Sequence, residues 1–363
     1  MTLAWAGLAL TAAAFGLSAL LCALMRVVAP RFGLVDKPGG RKAHLAPTPM
    51  GGGVAIWLTF VGVLAIGAGV ITAAGVSLPA ELGRHAAGMW EKSGELAWIV
   101  GLASVVMVIG LVDDRVGLGW RPRLAAQLIL ATILAAVGVR VTLFWPFTHP
   151  LPGGLATVLW VVGLTNAFNF LDNMDGLAAS VGLIAAGLFA AAQLLVGSLF
   201  VPAVLLVLVG SLGGFLVHNR HPARLFMGDA GSNFLGFTLG AFTVAGTFTR
   251  GGYSPYGMLI PLLVMAVPLY DAASVIVIRL REGRSPFQPD RRHFSHRLVE
   301  RGLTSPGAVL TIDLVTLTGG LGALLLPRMG GLGALVVALQ TLCLLGVVAI
   351  LEFSTSRPPG RDG

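Results

Sequence analysis

Apolar residues run in long unbroken stretches along this chain, and polar residues gather in the short gaps between them. A run must hold about 17–25 residues to cross a bilayer as a helix. About eleven runs qualify, near 3–25, 51–76, 96–112, 122–143, 153–171, 175–197, 200–217, 229–248, 255–280, 306–327 and 329–351, or ten if two neighbours join. The pattern predicts an all-α polytopic membrane protein. No gap is long enough for a soluble domain, so 1–363 reads as one integral-membrane domain. Its polar loops lie near 26–50, 113–121, 166–176, 218–229 and 281–305. No basic residue precedes the first run, whose first charge is Arg26 on the far side, so it reads as a span and not as a cleavable signal.

Composition agrees. Of 363 residues 56% are hydrophobic and 11% charged, against about 25% charged in soluble domains. A soluble enzyme and a disordered chain are both excluded. The 50 glycines suit close helix packing in lipid. Cys22 and Cys343 sit far apart in apolar runs and read as core- or lipid-facing thiols. Nineteen of the 24 Lys and Arg fall in alternate loops that share the side of Arg26, and five fall on the other. Positive charge marks the cytoplasmic side, so the N-terminus is expected outside and the C-terminus in the cytoplasm. The net charge of +8 therefore reflects topology, and a nucleic-acid partner is not expected.

The 16 acidic residues carry the functional signal. Half stand at the predicted cytoplasmic ends of spans: Asp36, Asp113, Asp114, Asp172, Asp175, Asp229, Asp271 and Asp290. An Asp at the centre of a membrane helix costs about 2.5–3.5 kcal/mol on insertion scales. Such residues mark functional sites by default. Asp113 and Asp114 end the third span and need a cation, which Arg115, Arg121 and Arg123 or a hard ion such as Mg²⁺ could supply. Asn166, Asn169, Asp172 and Asp175 recur every three residues. On one continuous helix Asn166 and Asp175 would face opposite ways, so the helix is expected to break between Asp172 and Gly176 at a cavity mouth. Asp229 stands between Gly228 and Gly231, where backbone N–H groups can approach an anion. The stretch 285–297 carries His293 and His296 among Arg291, Arg292 and Arg297, and reads as an anion-contacting loop rather than a zinc pair. His218 and His221 read as surface residues, and the glycines at 51–53 and 329–333 as packing positions. Hard-metal carboxylates beside basic groups suit phosphate chemistry at a membrane surface. A Walker A loop is absent.

These blocks resemble the polyprenyl-phosphate N-acetylhexosamine-1-phosphate transferases. In family order they are Asp36-Lys37-Pro38 with Arg41, Lys42, His44 and the segment Pro47 to Gly52; Asp113-Asp114; Asn166 to Gly176; Phe226-Met227-Gly228-Asp229 with Gly231-Ser232; and the loop from His293 to His296. The resemblance implies one reaction. A polyprenyl phosphate attacks the β-phosphate of a UDP-N-acetyl sugar, UMP leaves, and cell-envelope polysaccharide synthesis begins. It implies Mg²⁺, with Mn²⁺ as an alternative, and a site on the cytoplasmic face of the inner membrane. A homodimer follows by analogy alone.

The resemblance also implies residue roles. Asp229 is the principal metal ligand, with Asn169 and Asp172 beside it. Asp113 orients or deprotonates the lipid phosphate, and Asp114, Asn169 and Asp172 line the metal and phosphate site. Lys37 meets a substrate phosphate, and Arg41, His44 and Asn166 complete the substrate-binding blocks. Asp175 and Phe226 form a nucleoside pocket. Arg291, Arg292, His293 and His296 contact the diphosphate and sugar. Two positions depart from the family pattern: Ser295 replaces the middle His of a His-x-His-His loop, and Asn173 replaces the Gly that follows the Asp matching Asp172. The lead-in Ser285-Pro286-Phe287 looks more like the GlcNAc-type subgroup than the phospho-MurNAc-pentapeptide enzymes of peptidoglycan synthesis. An intramembrane prenyltransferase would need two similar Asp-rich repeats, and a secondary transporter would need mid-membrane carboxylates in matched halves. Neither pattern is found.

Overall fold

Each apolar run folds as helix, and glycine, proline or a capping side chain marks most ends. The structure, a computed structural model, describes residues 2–36, 47–74, 92–142, 148–249, 251–286 and 292–353. Thirteen α-helices lie among them: α1 Thr2–Val28, α2 Gly52–Ala74, α3 Ser93–Val116, α4 Trp120–Ala136, α5 Pro150–Leu171, α6 Leu177–Leu195 and α7 Phe200–Asn219. They continue with α8 Gly228–Ala245, α9 Ile260–Val264, α10 Ala266–Arg281, α11 Phe294–Glu300, α12 Ser305–Ala323 and α13 Gly331–Phe353. A small ribbon, β1 Val35–Asp36 against β2 Thr48–Pro49, pairs antiparallel with Val35 opposite Pro49.

Eight of these helices are long and apolar enough to cross a membrane, and the α9–α10 pair, bent by 55°, makes up to nine. Pro268 in the first turn of α10 cannot donate to the carbonyl of Val264, which accounts for the break there. The other two expected runs are also helices but fall short of that measure. Helix α4 has 17 residues and opens on Trp120-Arg121-Pro122-Arg123. Helix α8 has 18 residues and opens on Gly228-Asp229-Ala230-Gly231-Ser232-Asn233.

Helix α8 tolerates that polarity because protein, not lipid, surrounds it. It packs against α2, α3 and α5, and every residue from Ala230 to Thr243 is buried. Its backbone comes so close to its neighbours that a methyl group does not fit. A Cβ on Gly53 would strike the backbone of Gly231, and one on Gly110 would strike the Asp229 carbonyl. The glycines of 51–53 therefore serve packing, as the sequence suggests. The outer helices do the reverse and expose apolar side chains: Leu332 is 79% exposed and Ile350 70%. Such a surface belongs in lipid, and the protein is a multi-pass membrane protein. Cys22 is buried and Cys343 is exposed on α13.

Candidate active site

Four helix ends, of α3, α4, α5 and α8, meet around Asp229. Gly228, before it, adopts φ 72°, a left-handed conformation that suits glycine, and a Cβ there would lie 2.5 Å from Asp114 Oδ2. That close approach lets Asp114, at the end of α3, cap the start of α8 from outside. Its Oδ1 accepts from the Asp229 amide at 2.7 Å and its Oδ2 from the Ala230 amide at 3.0 Å. Asp113, one residue earlier, points elsewhere. Arg123 Nη1 donates to Asp113 Oδ2 at 2.6 Å and to Asp229 Oδ2 at 2.7 Å. Of the three candidate cations Arg123 thus meets Asp113, which it joins to Asp229, whereas Asp114 is met by backbone amides. Arg121 instead lies over the Trp120 ring.

From α5, Asn169 Nδ2 donates to Asp229 Oδ1 at 2.5 Å and to Ser232 Oγ at 3.1 Å. Helix α5 ends at Leu171, and Gly176, at φ 82°, opens α6, so the expected break falls between Asp172 and Gly176. Asp172 in that turn makes no side-chain hydrogen bond among the described residues. Burial, and then the carboxylates of Asp229, Asp114 and Asp175, push its pKa up to about 8. Asn166 lies one turn further into α5 and faces away from this turn. It donates to Gln127 Oε1 at 2.6 Å, Gln127 donates to Asn233 Oδ1 at 3.1 Å, and Asn233 donates to the Asp229 carbonyl at 2.7 Å. Asn166 is the far end of a buried relay to Asp229.

The Asn219–Phe226 segment docks on both motif blocks. Asn219 Oδ1 accepts from the Gly176 amide at 2.9 Å. Asp175 Oδ2 accepts from the Ala223 amide at 3.0 Å and lies 2.9 Å from His221 Nδ1. His221 is exposed, as expected of a surface residue, and also engages a candidate site residue. His218 instead meets the Ala19 carbonyl at 3.0 Å. Phe226 is half-buried, and its amide donates to the Pro49 carbonyl at 2.9 Å, which joins the first motif block to the fourth.

His293 is buried and stands 2.9 Å from Asp271 Oδ2, while Asp271 Oδ1 accepts from the Phe294 amide at 2.9 Å. The Phe170 ring meets the His293 ring edge-on at 5.6 Å. Half-buried His296 lies in the first turn of α11. The expected cluster of anion-contacting arginines is divided. Arg292 pairs with Glu282 at 2.9 Å, and Arg297 is buried on Glu352 at 2.6 Å. Lys37, Arg41, His44 and Arg291 lie outside the described residues.

The sequence gives no site role to Gln127, Asn233 or His221, marks Asp271 only as one of the acidic span ends, and offers Arg123 only as one of three cations. A signal existed for the first two. Arg123 and Gln127, like Asp229 and Asn233, are four apart and share a helix face. Among the described residues no group of three His, Cys, Asp or Glu stands at metal-binding spacing. Mg²⁺ does not require one, since it commonly binds one or two carboxylates together with substrate phosphates and water.

Comparison with known proteins shows which chains this one resembles. Residues 96–247, which hold the Asp113, Asn169, Asp172 and Asp229 blocks, match the model of the family described as glycosyl transferase family 4. A decaprenyl-phosphate N-acetylglucosaminephosphotransferase of Mycolicibacterium smegmatis is 37% identical over 80% of this chain and 74% of its own. A protein of Bacillus subtilis strain 168, named as a probable undecaprenyl-phosphate N-acetylglucosaminyl 1-phosphate transferase, is 32% identical over 84% of this chain and 80% of its own. An undecaprenyl-phosphate alpha-N-acetylglucosaminyl 1-phosphate transferase of Escherichia coli strain K12 is 30% identical over 80% and 75%. The motif blocks, the membrane fold and these likenesses coincide, and the chain belongs to glycosyl transferase family 4.

Proposed function

We propose that the protein transfers N-acetylglucosamine 1-phosphate from UDP-N-acetylglucosamine to a polyprenyl phosphate on the cytoplasmic face of the inner membrane. The observation that carries this is the convergence on Asp229 of Asp113, Asp114, Asn169 and Arg123 from three other helices. The names of the relatives supply the transferred group and the lipid acceptor. They lend nothing to a peptidoglycan-type, prenyltransferase or transporter reading. The positive-inside asymmetry supplies the cytoplasmic side.

The reaction makes one P–O bond, from a lipid phosphate oxygen to the β-phosphorus of the donor. It breaks the bond from that phosphorus to the bridging oxygen, which leaves with UMP. A phosphate is already ionised near neutral pH, so the residues chiefly position and neutralise charge. Asp113 and Asp229 hold Arg123 by one nitrogen, which leaves the rest of the guanidinium for a phosphate oxygen. Asp114 fixes the backbone that carries Asp229. Asp175 and Phe226 border the nucleoside, and His293 and His296 face the diphosphate and sugar. Asp229 and Asp172 would hold a divalent ion by their carboxylate oxygens, and Asn169, whose Nδ2 faces Asp229 here, would offer its amide oxygen after a flip of the amide; among the described residues Asp172 has no hydrogen-bond partner to be displaced. The chemistry that Mg²⁺ or Mn²⁺ would supply there is neutralisation of two polyanions and polarisation of the β-phosphate.

The test is UMP release by purified protein given UDP-N-acetylglucosamine, undecaprenyl phosphate and Mg²⁺, with and without EDTA. Release that needs both lipid and metal is expected. Silence with this donor but turnover of another UDP-N-acetyl sugar overturns the donor assignment, and silence with all of them overturns the reaction.

A further inference from the structure

The two positions at which the chain leaves its family pattern touch each other. Ser295 is fully buried, and its hydroxyl donates to Asn173 Oδ1 at 2.6 Å. The other end of that amide is also engaged, with Asn173 Nδ2 donating to the Phe170 carbonyl at 2.7 Å. Asn173 is therefore held in one orientation, its carbonyl toward Ser295. A glycine at 173 could not make this bond. An imidazole at 295 would have to enter a site that a serine already fills.

The placement gives the contact a use. Helix α11 has seven residues and is too short to hold its own position. Two of the contacts that fasten its start are hydrogen-bonded and tie it to α10 and to the carboxylate turn. Asp271 grips His293 and the Phe294 amide from α10. Ser295 grips Asn173, which follows Asp172 in the carboxylate turn. The second contact thus spans the two halves that would grip opposite parts of one donor: the acidic turn on the diphosphate side and the histidine helix on the sugar side. The Phe170 ring, against His293 at 5.6 Å and Arg279 at 5.3 Å, packs the same joint.

We propose that Asn173 and Ser295 are one specificity-determining unit, a pair of positioning residues that sets the spacing between the His293–His296 helix and the Asp172–Asp175 turn and thereby tunes donor binding. This rests on the transferase reading above. Neither residue touches the reacting phosphorus. Their effect passes through His293, His296 and Asp172.

The experiment is a double-substitution cycle on the full-length protein in detergent, with KM and kcat measured separately for UDP-N-acetylglucosamine and undecaprenyl phosphate. Asn173→Ala and Ser295→Ala should each raise the donor KM about three- to tenfold, as loss of one hydrogen bond does. The lipid KM should stay within twofold. The double variant should be no worse than the poorer single. Ser295→His should bind donor poorly by itself and recover when Asn173→Gly is added. Additive effects overturn the unit, and so does an equal rise in both KM values. If the parent turns over no UDP-N-acetyl sugar, the transferase reading is what has failed, and a measurement without turnover then decides the contact. Asn173→Cys with Ser295→Cys, in a chain whose Cys22 and Cys343 are replaced by Ala, should form a disulfide in membranes under mild oxidation. Absence of that crosslink overturns the pairing.

Discussion

Arg123 is the residue whose loss separates the electrostatic account from its rivals. One atom, Nη1, serves two carboxylates, Asp113 at 2.6 Å and Asp229 at 2.7 Å. A charge-assisted hydrogen bond contributes about 1.5–3 kcal/mol, so the pair has a ceiling of about 3–6 kcal/mol. Solvent reduces this, because the side chains of Arg123 and Asp229 are 26% and 30% exposed. Asp113, at 5%, is not screened in the same way. Arg123→Gln leaves that carboxylate buried, facing a second one with no cation between them. The expected loss of stability is about 2–4 kcal/mol without divalent ions. Since the bridge is made by one atom and not by a two-pronged fork, Arg123→Lys should retain most of it. The assay is equilibrium unfolding of the detergent-solubilised protein in EDTA and again in Mg²⁺. A divalent ion near Asp229 restores positive charge, so the Arg123→Gln deficit should shrink in Mg²⁺. A deficit under about 0.5 kcal/mol in EDTA, within the range of ordinary surface substitutions, would refute the bridge. A deficit of equal size in EDTA and Mg²⁺ would refute the shared electrostatic site.

Three further outcomes are expected. Asp229→Asn should lower UMP release at least about a hundredfold, since it removes the charge at the metal position; it also weakens the contacts to Arg123 and Asn169, so turnover is read on the folded, monodisperse fraction, and near-parental turnover there would remove Asp229 from that role. The Asp172 carboxyl, held up to about 8, keeps its proton at pH 7, and an ion must displace that proton. Apparent Mg²⁺ affinity should therefore rise with pH, by up to about tenfold per unit, until pH 8 and then level off. Titration calorimetry in two buffers of different ionisation enthalpy reads the released proton, and a flat profile for the parent rejects Asp172 as a ligand. Glu352, 1% exposed, pairs with the 8% exposed Arg297. Arg297→Met alone should cost about 3–5 kcal/mol, and adding Glu352→Met should recover much of it, because an unpaired buried charge is worse than none. Denaturant unfolding checks both variants, and equal losses in the single and the double would contradict the buried-charge account.

Much of the fold was legible because lipid is a strict solvent. It demands long apolar runs with internally satisfied backbones, and each of the eleven expected runs is helical. The same reasoning was weakest at α4 and α8, whose opening residues are polar. Helix α8 is walled by protein, so its Ser232 and Asn233 face polar partners and Thr238 is buried among protein side chains, not hydrocarbon tails. Within the site the acidic positions were legible, since a carboxylate at a span end is expensive and rare. Arg123, Gln127 and Asn233 were harder to find. Nothing in a single sequence says that α4 lies beside α3 and α8, and only that contact gives those residues their partners. Asp271 was visible as an acidic residue, but its grip on His293 spans a bend in the chain that no spacing rule specifies.

Asp113 and Asp114 show how adjacency in sequence hides a division of labour. Successive residues on a helix point about 100° apart. One carboxylate therefore meets Arg123 and the other the start of α8, and both act on Asp229 by different means. Asp114 accepts two backbone amides, a positional task, whereas Asp113 balances charge. Asp114→Asn keeps one oxygen acceptor of two and turns the other atom into a donor facing an amide. It should cost about 1–2 kcal/mol, in the manner of a lost helix cap, with a kcat loss that added Mg²⁺ does not repair. Asp113→Asn leaves every backbone contact in place and frees Arg123 to pair with Asp229 alone. It should change the Mg²⁺ concentration needed for half-maximal rate more than it changes stability. Unfolding curves and Mg²⁺ titrations of UMP release on the two variants separate these effects. If both variants lose stability and Mg²⁺ dependence in the same proportion, the two aspartates do one job, and the geometric division between them has no functional content.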